Sequence, residues 1–209
     1  MYTAARWQNV MGHKGGLTAA LTALYIRIVH ATSRVTRKGR HDALFGEETF
    51  AVGFWHGSSF CYYPELQKRG DFIITTKHKR GNLIAAVGRR FGYVPFHMPD
   101  ESDPDSTLLD IRRLLSTASG KHICYSMDGP LGPYHVPQRF FLTTAWLAKK
   151  RVLPVSVTVK HKITLKKRWD KYIIPLPFAR IDFTFHDPIE VKKNRFDELI
   201  AEIQRVMDE

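Results

Sequence analysis

The sequence predicts a single α/β domain built on a largely parallel central sheet with helices on both faces, preceded by an apolar, amphipathic N-terminal helix. Three observations carry this. Strand-like and helix-like runs alternate along most of the chain, the order that crossover connections between parallel strands require. Strand runs end in polar, glycine or proline residues, the punctuation of turns. With 209 residues, 44% of them hydrophobic, the chain can bury one substantial core. Two segments are expected: 1–40, an apolar helix and a basic flank able to lie at an interface, and 41–209, the α/β domain. No internal repeat or low-complexity tract interrupts them.

The first element is a helix at about 17–35. Residues 17–31 are mostly apolar but contain Arg27, and the run falls short of the roughly 20 residues that span a bilayer. Strands are expected at 49–55, 71–76, 93–96, 121–127 and 152–160, with helices between them at about 58–69, 81–91, 106–119 and 139–150. The acidic loop around Asp100-Glu101-Ser102-Asp103 lacks the alternation and glycine of a calcium loop, and reads as solvated chain that caps the following helix. The run Lys160-His161-Lys162-Ile163-Thr164-Leu165-Lys166-Lys167-Arg168-Trp169 reads as an exposed hairpin or loop. A strand at 180–186 and a helix at 194–208, with Asn194 as its cap, complete the domain.

Composition narrows the function classes. The 32 Lys and Arg against 20 Asp and Glu give a net charge of +12, which favours an anionic partner: nucleic acid, a phospholipid surface or a phosphate-bearing substrate. Cys61 and Cys124 are the only cysteines, so neither a disulfide framework nor a Cys/His metal spacing is indicated, and a reducing cytosolic compartment fits. The N-terminus does not show the order of a cleaved signal peptide. Basic residues around Trp169 suit anionic headgroups and the interfacial zone.

Two strand ends offer chemistry. His56 closes the run Phe54-Trp55-His56-Gly57, where a histidine can act as a general base because its ordinary pKa lies near neutrality. Gly57 would let a substrate approach. The run Tyr125-Ser126-Met127-Asp128-Gly129-Pro130-Leu131-Gly132-Pro133 stops a strand in one acid and two Gly-Pro steps, holding Asp128 on a stiff loop. Loops at the carboxyl ends of parallel strands are where ligands bind in such sheets.

Taken in order, Thr32-Ser33-Arg34, Phe54-Trp55-His56-Gly57, the strand and loop at 123–133, Val152-Leu153-Pro154-Val155-Ser156-Val157 and Trp169-Asp170-Lys171 through Ile174-Pro175-Leu176-Pro177-Phe178 resemble the little-characterised bacterial branch of the lysophospholipid acyltransferase superfamily, which carries Trp-His-Gly and Asp-Gly-Pro-x-Gly-Pro motifs. The resemblance spans about 30–190. It implies a glycerolipid-acyltransferase-like fold and transfer of a fatty acyl group from acyl-CoA or acyl carrier protein to a hydroxyl of a lysophospholipid or related glycolipid. His56 matches the family's proton-accepting histidine. The turn at Asp128, Gly129 and Pro130, with Gly132, matches the motif lining the acceptor site, Trp55 and Gly57 flank the histidine, and Pro154 matches a proline that shapes the pocket wall. No cofactor is implied beyond the acyl donor as substrate. The expected location is cytoplasmic, peripheral on the inner face of the membrane.

The chain departs from the family pattern at three places. The superfamily pairs its histidine with an acid five positions later, which here is Cys61; Asp128 is the first choice to replace it. Arg80-Gly81 stands where relatives carry Asp-Gly, and His97-Met98-Pro99-Asp100 stands where they carry an arginine for the acceptor phosphate. Lys77, Lys79 and Arg80 are the cations expected to bind the headgroup instead. Other readings are a lipid-binding family member without catalysis, a thioesterase using Cys61 as nucleophile, and a basic nucleic-acid-binding protein.

Overall fold

A computed structural model describes residues 13–66, 70–98 and 104–208. Its sheet has seven strands: β1 (Arg34–Gly39), β2 (Ala51–Phe54), β3 (Phe72–Thr76), β4 (Val94–Met98), β5 (Ile123–Ser126), β6 (Val152–Thr164) and β7 (Ile173–Phe185). They lie in the order β1-β7-β6-β2-β5-β3-β4. Every neighbouring pair is parallel except β6 with β7. The helices are α1 (His13–Thr32), α2 (Lys79–Arg90), α3 (Pro104–Thr117), α4 (Arg139–Leu147) and α5 (Phe196–Asp208).

Side chains alternate between two cores, as a period of two dictates. Val52 and Phe54 of β2, Cys124 of β5 and Leu153 and Val155 of β6 join α1, α2 and the aromatic segment after His56 on one face. Ala51, Ile123, Tyr125 and Val152 face the other way, toward Leu114 of α3, Phe141 of α4 and Ile203 of α5. The expected α/β domain with helices on both faces is the observed one.

Several boundaries differ from expectation, each for a physical reason. The helix expected at 17–35 stops at Thr32, whose hydroxyl bonds back to the Ile28 carbonyl at 2.7 Å. Residues 34–39 of the basic flank become β1, an edge strand in register with β7 from Arg34 opposite Arg180. They thus belong to the sheet although they precede residue 40. The helix expected at 58–69 is a 3-10 turn, His56–Cys61, followed by turns; Gly57, Ser58, Ser59 and Pro64 are weak helix formers, and residues 67–69 lie outside the described part. β7 begins at Ile173 rather than 180. Pro175 and Pro177 hide it from a propensity reading, yet Pro175 is tolerated where the β6–β7 register slips between Lys160 and Lys162. Asn194 sits inside a short 3-10 turn, Lys193–Arg195, ahead of α5. Of the acidic loop expected at 97–106, His97 and Met98 belong to β4 and 104–106 to α3, while 99–103 lie outside the described residues.

Candidate active site

β2 and β5 run parallel in the middle of the sheet, with Phe54 opposite Ser126. Their carboxyl ends therefore deliver His56 and Asp128 side by side. Asp128 is fully buried, and its Oδ1 accepts the main-chain N–H of His56 at 2.8 Å. Its Oδ2 has no hydrogen-bond partner among the described residues. Burial raises the Asp128 carboxyl to about 6, with the His56 amide opposing the shift. Asp128 thus holds the backbone of the turn, not the imidazole ring, which is where its expected role of orienting the ring is corrected.

The ring is held from elsewhere. Nδ1 of His56 lies 2.7 Å from Oδ2 of Asp170, which is 1% exposed and sits where the β6–β7 hairpin returns to the sheet. Arg168 donates to both Asp170 oxygens, Nε to Oδ1 at 2.9 Å and a terminal nitrogen to Oδ2 at 2.7 Å. Burial alone would raise Asp170, but these bonds from Arg168 and His56 overcome it and hold the carboxyl below its ordinary value. For His56 burial dominates and lowers the pKa; Asp170 opposes this, and the Arg168 and Arg80 charges add to it. The consistent state is a carboxylate facing a neutral imidazole. An ionised Asp170 is an acceptor only, so Nδ1 carries the proton and Nε2 keeps its lone pair. The His56 side chain retains 20% of its exposure, and no hydrogen bond engages Nε2 among the described residues.

The surrounding residues explain the local sequence. Gly57 is needed for contact between protein segments: a Cβ there would lie 2.0 Å from the Asp170 carbonyl oxygen. The expected approach of a substrate to Gly57 is thus replaced by the hairpin itself. Trp169 packs beside the His56 ring, centroids 5.4 Å apart. Gly132, with φ +86° and a cis bond to Pro133, leaves room for that indole, which a Cβ would meet at 2.8 Å. Gly129 also has positive φ, +64°, and Pro130 is exposed. Trp55 is buried and stacks on His135 at 4.7 Å, its indole N–H without a partner among the described residues.

The remaining expected site residues divide. Lys77, Lys79 and Arg80 are exposed where β3 passes into α2, and the Arg80 charge acts on His56. Pro154 lies inside the sheet opposite Gly53, its carbonyl accepting the His186 amide. That position is strand interior and not a pocket wall. Cys61 is buried among aromatic residues, and burial pushes its thiol up to about 12. A thiol so placed supplies no thiolate and cannot take the superfamily acid's role. Asp170 lies in the run Trp169-Asp170-Lys171 and carries no signal of its role in the sequence, because no spacing rule links it to a histidine 114 positions away.

A cleft of about 700 Å³ lies elsewhere, beside the end of β7 and α5, lined by Arg40, His186, Glu190 and Glu202 among others. No cluster of metal-binding side chains occurs among the described residues.

No family model matches the chain. An uncharacterized protein of Rickettsia prowazekii (strain Madrid E) is 26% identical over 172 residues, 79% of this chain and 77% of the relative. Among solved structures, the 1-acyl-sn-glycerophosphate (LPA) acyltransferase PlsC from Thermotoga maritima superposes with a TM-score of 0.58 at 16% identity, covering 90% of this chain and 76% of that one. The fold is therefore of the glycerolipid-acyltransferase type.

Proposed function

We propose that the protein is an acyltransferase in which His56, oriented by Asp170, moves a fatty acyl group from a thioester donor to a hydroxyl of a lysophospholipid or related glycolipid. One observation carries the reading: a strand-end histidine, mostly buried but still reachable, whose Nδ1 is tied to a buried carboxylate, leaving Nε2 free. Nε2 takes the acceptor's hydroxyl proton as the oxygen attacks the thioester carbonyl. The tetrahedral oxyanion then collapses, the C–S bond breaks, and the departing thiolate receives the proton back from the imidazolium. No covalent acyl-enzyme is required, so the protein contributes orientation and electrostatic stabilisation. The donor is acyl-CoA or acyl carrier protein. Arg80, with Lys77 and Lys79, supplies positive charge for an acceptor phosphate on the histidine side of the sheet.

The replacement acid answers the loss at position 61, which removes the motive for a non-catalytic lipid binder. The buried thiol leaves the thioesterase reading without a nucleophile. A peripheral site of action is supported by α1. One face, with Ala19, Ala23, Ile26 and Val29, packs on the sheet, while Leu17, Leu21, Leu24 and Ile28 form an exposed ridge on the other. Among the described residues no helix is long and apolar enough to cross a membrane. The ridge suits a lipid interface on the inner face of a membrane.

The test is acyl transfer by the wild type and His56→Ala across a panel of lysolipids with both donor types. Turnover should fall by roughly 10²–10⁴-fold in the variant. Equal turnover in the two proteins would remove His56 from the chemistry.

A further inference from the structure

We infer that the β6–β7 hairpin is a docking element for anionic lipid that seats Asp170 against His56, so that turnover at this site depends on the surface the hairpin rests on. This deepens the acyl-transfer reading and rests on it for its catalytic half. The lipid-binding half stands separately.

Asp170 belongs to the turn that closes the hairpin, and the turn's own residues fix it: Arg168 by two hydrogen bonds and the Tyr172 amide at 3.3 Å. Across the gap, the hairpin meets the histidine segment through the His56–Asp170 bond, the Trp169 ring and the close approach of the Asp170 carbonyl to Gly57. Whatever repositions this turn repositions the acid relative to the ring. Displacement of a catalytic group by about 1 Å can cost roughly a hundredfold in rate.

The arm bearing the turn is cationic. Lys160, Lys162, Lys166 and Lys167 are all exposed, residues 160–169 contain no acid, and none of these four lysines is ion-paired among the described residues. Asp170, the nearest acid along the chain, is occupied by Arg168 and His56. The register slips between Lys160 and Lys162, where His161 has φ +69°, an irregularity that bends the strand at the base of the hairpin's outer part. Its exposed large hydrophobic side chains are aliphatic, Ile163 and Leu165, beside one exposed imidazole, His161, whereas Trp169 packs on His56 and Gly132. Cations interleaved with aliphatic groups suit headgroups and upper acyl chains; single-stranded nucleic acid would call for stacking aromatics.

The same strand continues the surface. Phe178 of β7 is 78% exposed with φ +63°, and its amide donates to Thr32 at the end of α1. Thr32 lies one turn beyond Ile28, so this exposed phenylalanine is tethered at the end of the helix that carries the apolar ridge. β7 thus connects a charged hairpin to an apolar ridge, the two components of an interfacial surface.

The experiment compares the wild type with the variant carrying Lys160→Gln, Lys162→Gln, Lys166→Gln and Lys167→Gln. Three readouts are taken: sedimentation with phosphatidylcholine vesicles with and without phosphatidylglycerol, acyl transfer with monomeric acceptor in the absence of vesicles and with acceptor in each vesicle type, and amide hydrogen exchange of residues 165–172. Each cation close to an anionic surface contributes roughly fivefold in partitioning. The wild type should bind phosphatidylglycerol vesicles at least a hundredfold more tightly than the variant, turn over faster on them, and show slowed exchange in the turn. The variant should keep the vesicle-free turnover and lose the stimulation. Full stimulation in the variant, binding indifferent to phosphatidylglycerol, or unchanged exchange would each overturn the inference. A wild type that binds anionic vesicles with slowed exchange yet transfers no acyl group under any condition would sink the acyl-transfer reading and leave the docking surface standing.

Discussion

His56 can act as a base only while Nε2 is unprotonated and Nδ1 keeps its hydrogen; Asp170 fixes the second by accepting from Nδ1, and burial of the ring favours the first. Burial and the Arg168 and Arg80 charges hold the imidazole below its ordinary pKa of 6.5, so the acid limb of kcat/KM should fall below pH 6.5. Asp170→Asn removes the one partner that raises the ring's pKa and leaves Arg168 uncompensated. It should lower kcat by roughly 10²–10⁴-fold and move the acid limb to still lower pH, a displacement that a purely structural role would not produce. Cys61→Ala, by contrast, should retain turnover, since the buried thiol touches none of the chemistry. Asp128 gives a separate stability signature. Its carboxyl is raised from 3.8 to about 6, so its contribution is fully present below 3.8 and is lost as pH rises through 6. Urea unfolding of Asp128→Asn against the wild type should show the variant gaining on the wild type between those values, by about 3 kcal/mol at most, with no further change above. A flat difference across that window would show that Asp128 ionises equally in both states.

At the scale of elements, the site is a meeting of two segments far apart in the chain, the turn after β2 and the hairpin between β6 and β7. Gly57 is the contact that lets them meet. Gly57→Ala places a methyl group against the Asp170 carbonyl and should reduce kcat about a hundredfold with little change in acceptor KM, accompanied by faster exchange in residues 165–172. Unchanged turnover would mean the hairpin can retreat without loss. This is also where the sequence was least informative. The strands of the central sheet were readable because their apolar runs are short, punctuated and separated by helical periodicity. β7 was not fully readable, because Pro175 and Pro177 argue locally against a strand that pairing with β6 nevertheless supports. The aromatic segment after His56 read as a helix because its apolar residues recur densely; instead a 3-10 turn and the turns after it bring Phe60, Tyr62 and Tyr63 into one core. His56 and Asp128 could be placed at strand ends from sequence, and the structure puts them side by side. Asp170 could not be assigned, since only the hairpin's return path brings it to the ring.

At the scale of the whole molecule, the fold puts a histidine dyad at the carboxyl edge of a seven-stranded sheet and flanks the sheet with a helix that is apolar on two sides. Replacing Leu21 and Leu24 by Gln alters only exposed positions and should leave thermal unfolding nearly unchanged. Sedimentation with neutral vesicles should weaken about tenfold or more; undiminished binding would assign the ridge to another partner. The central claim, that His56 and Asp170 act as one unit in acyl transfer, is tested most directly by a double-mutant cycle on kcat with His56→Ala, Asp170→Asn and the two combined. If the acid works through the histidine, the double variant should be no slower than His56→Ala alone. Losses that multiply would show two independent contributions, and turnover at the wild-type level in either single variant would contradict the account.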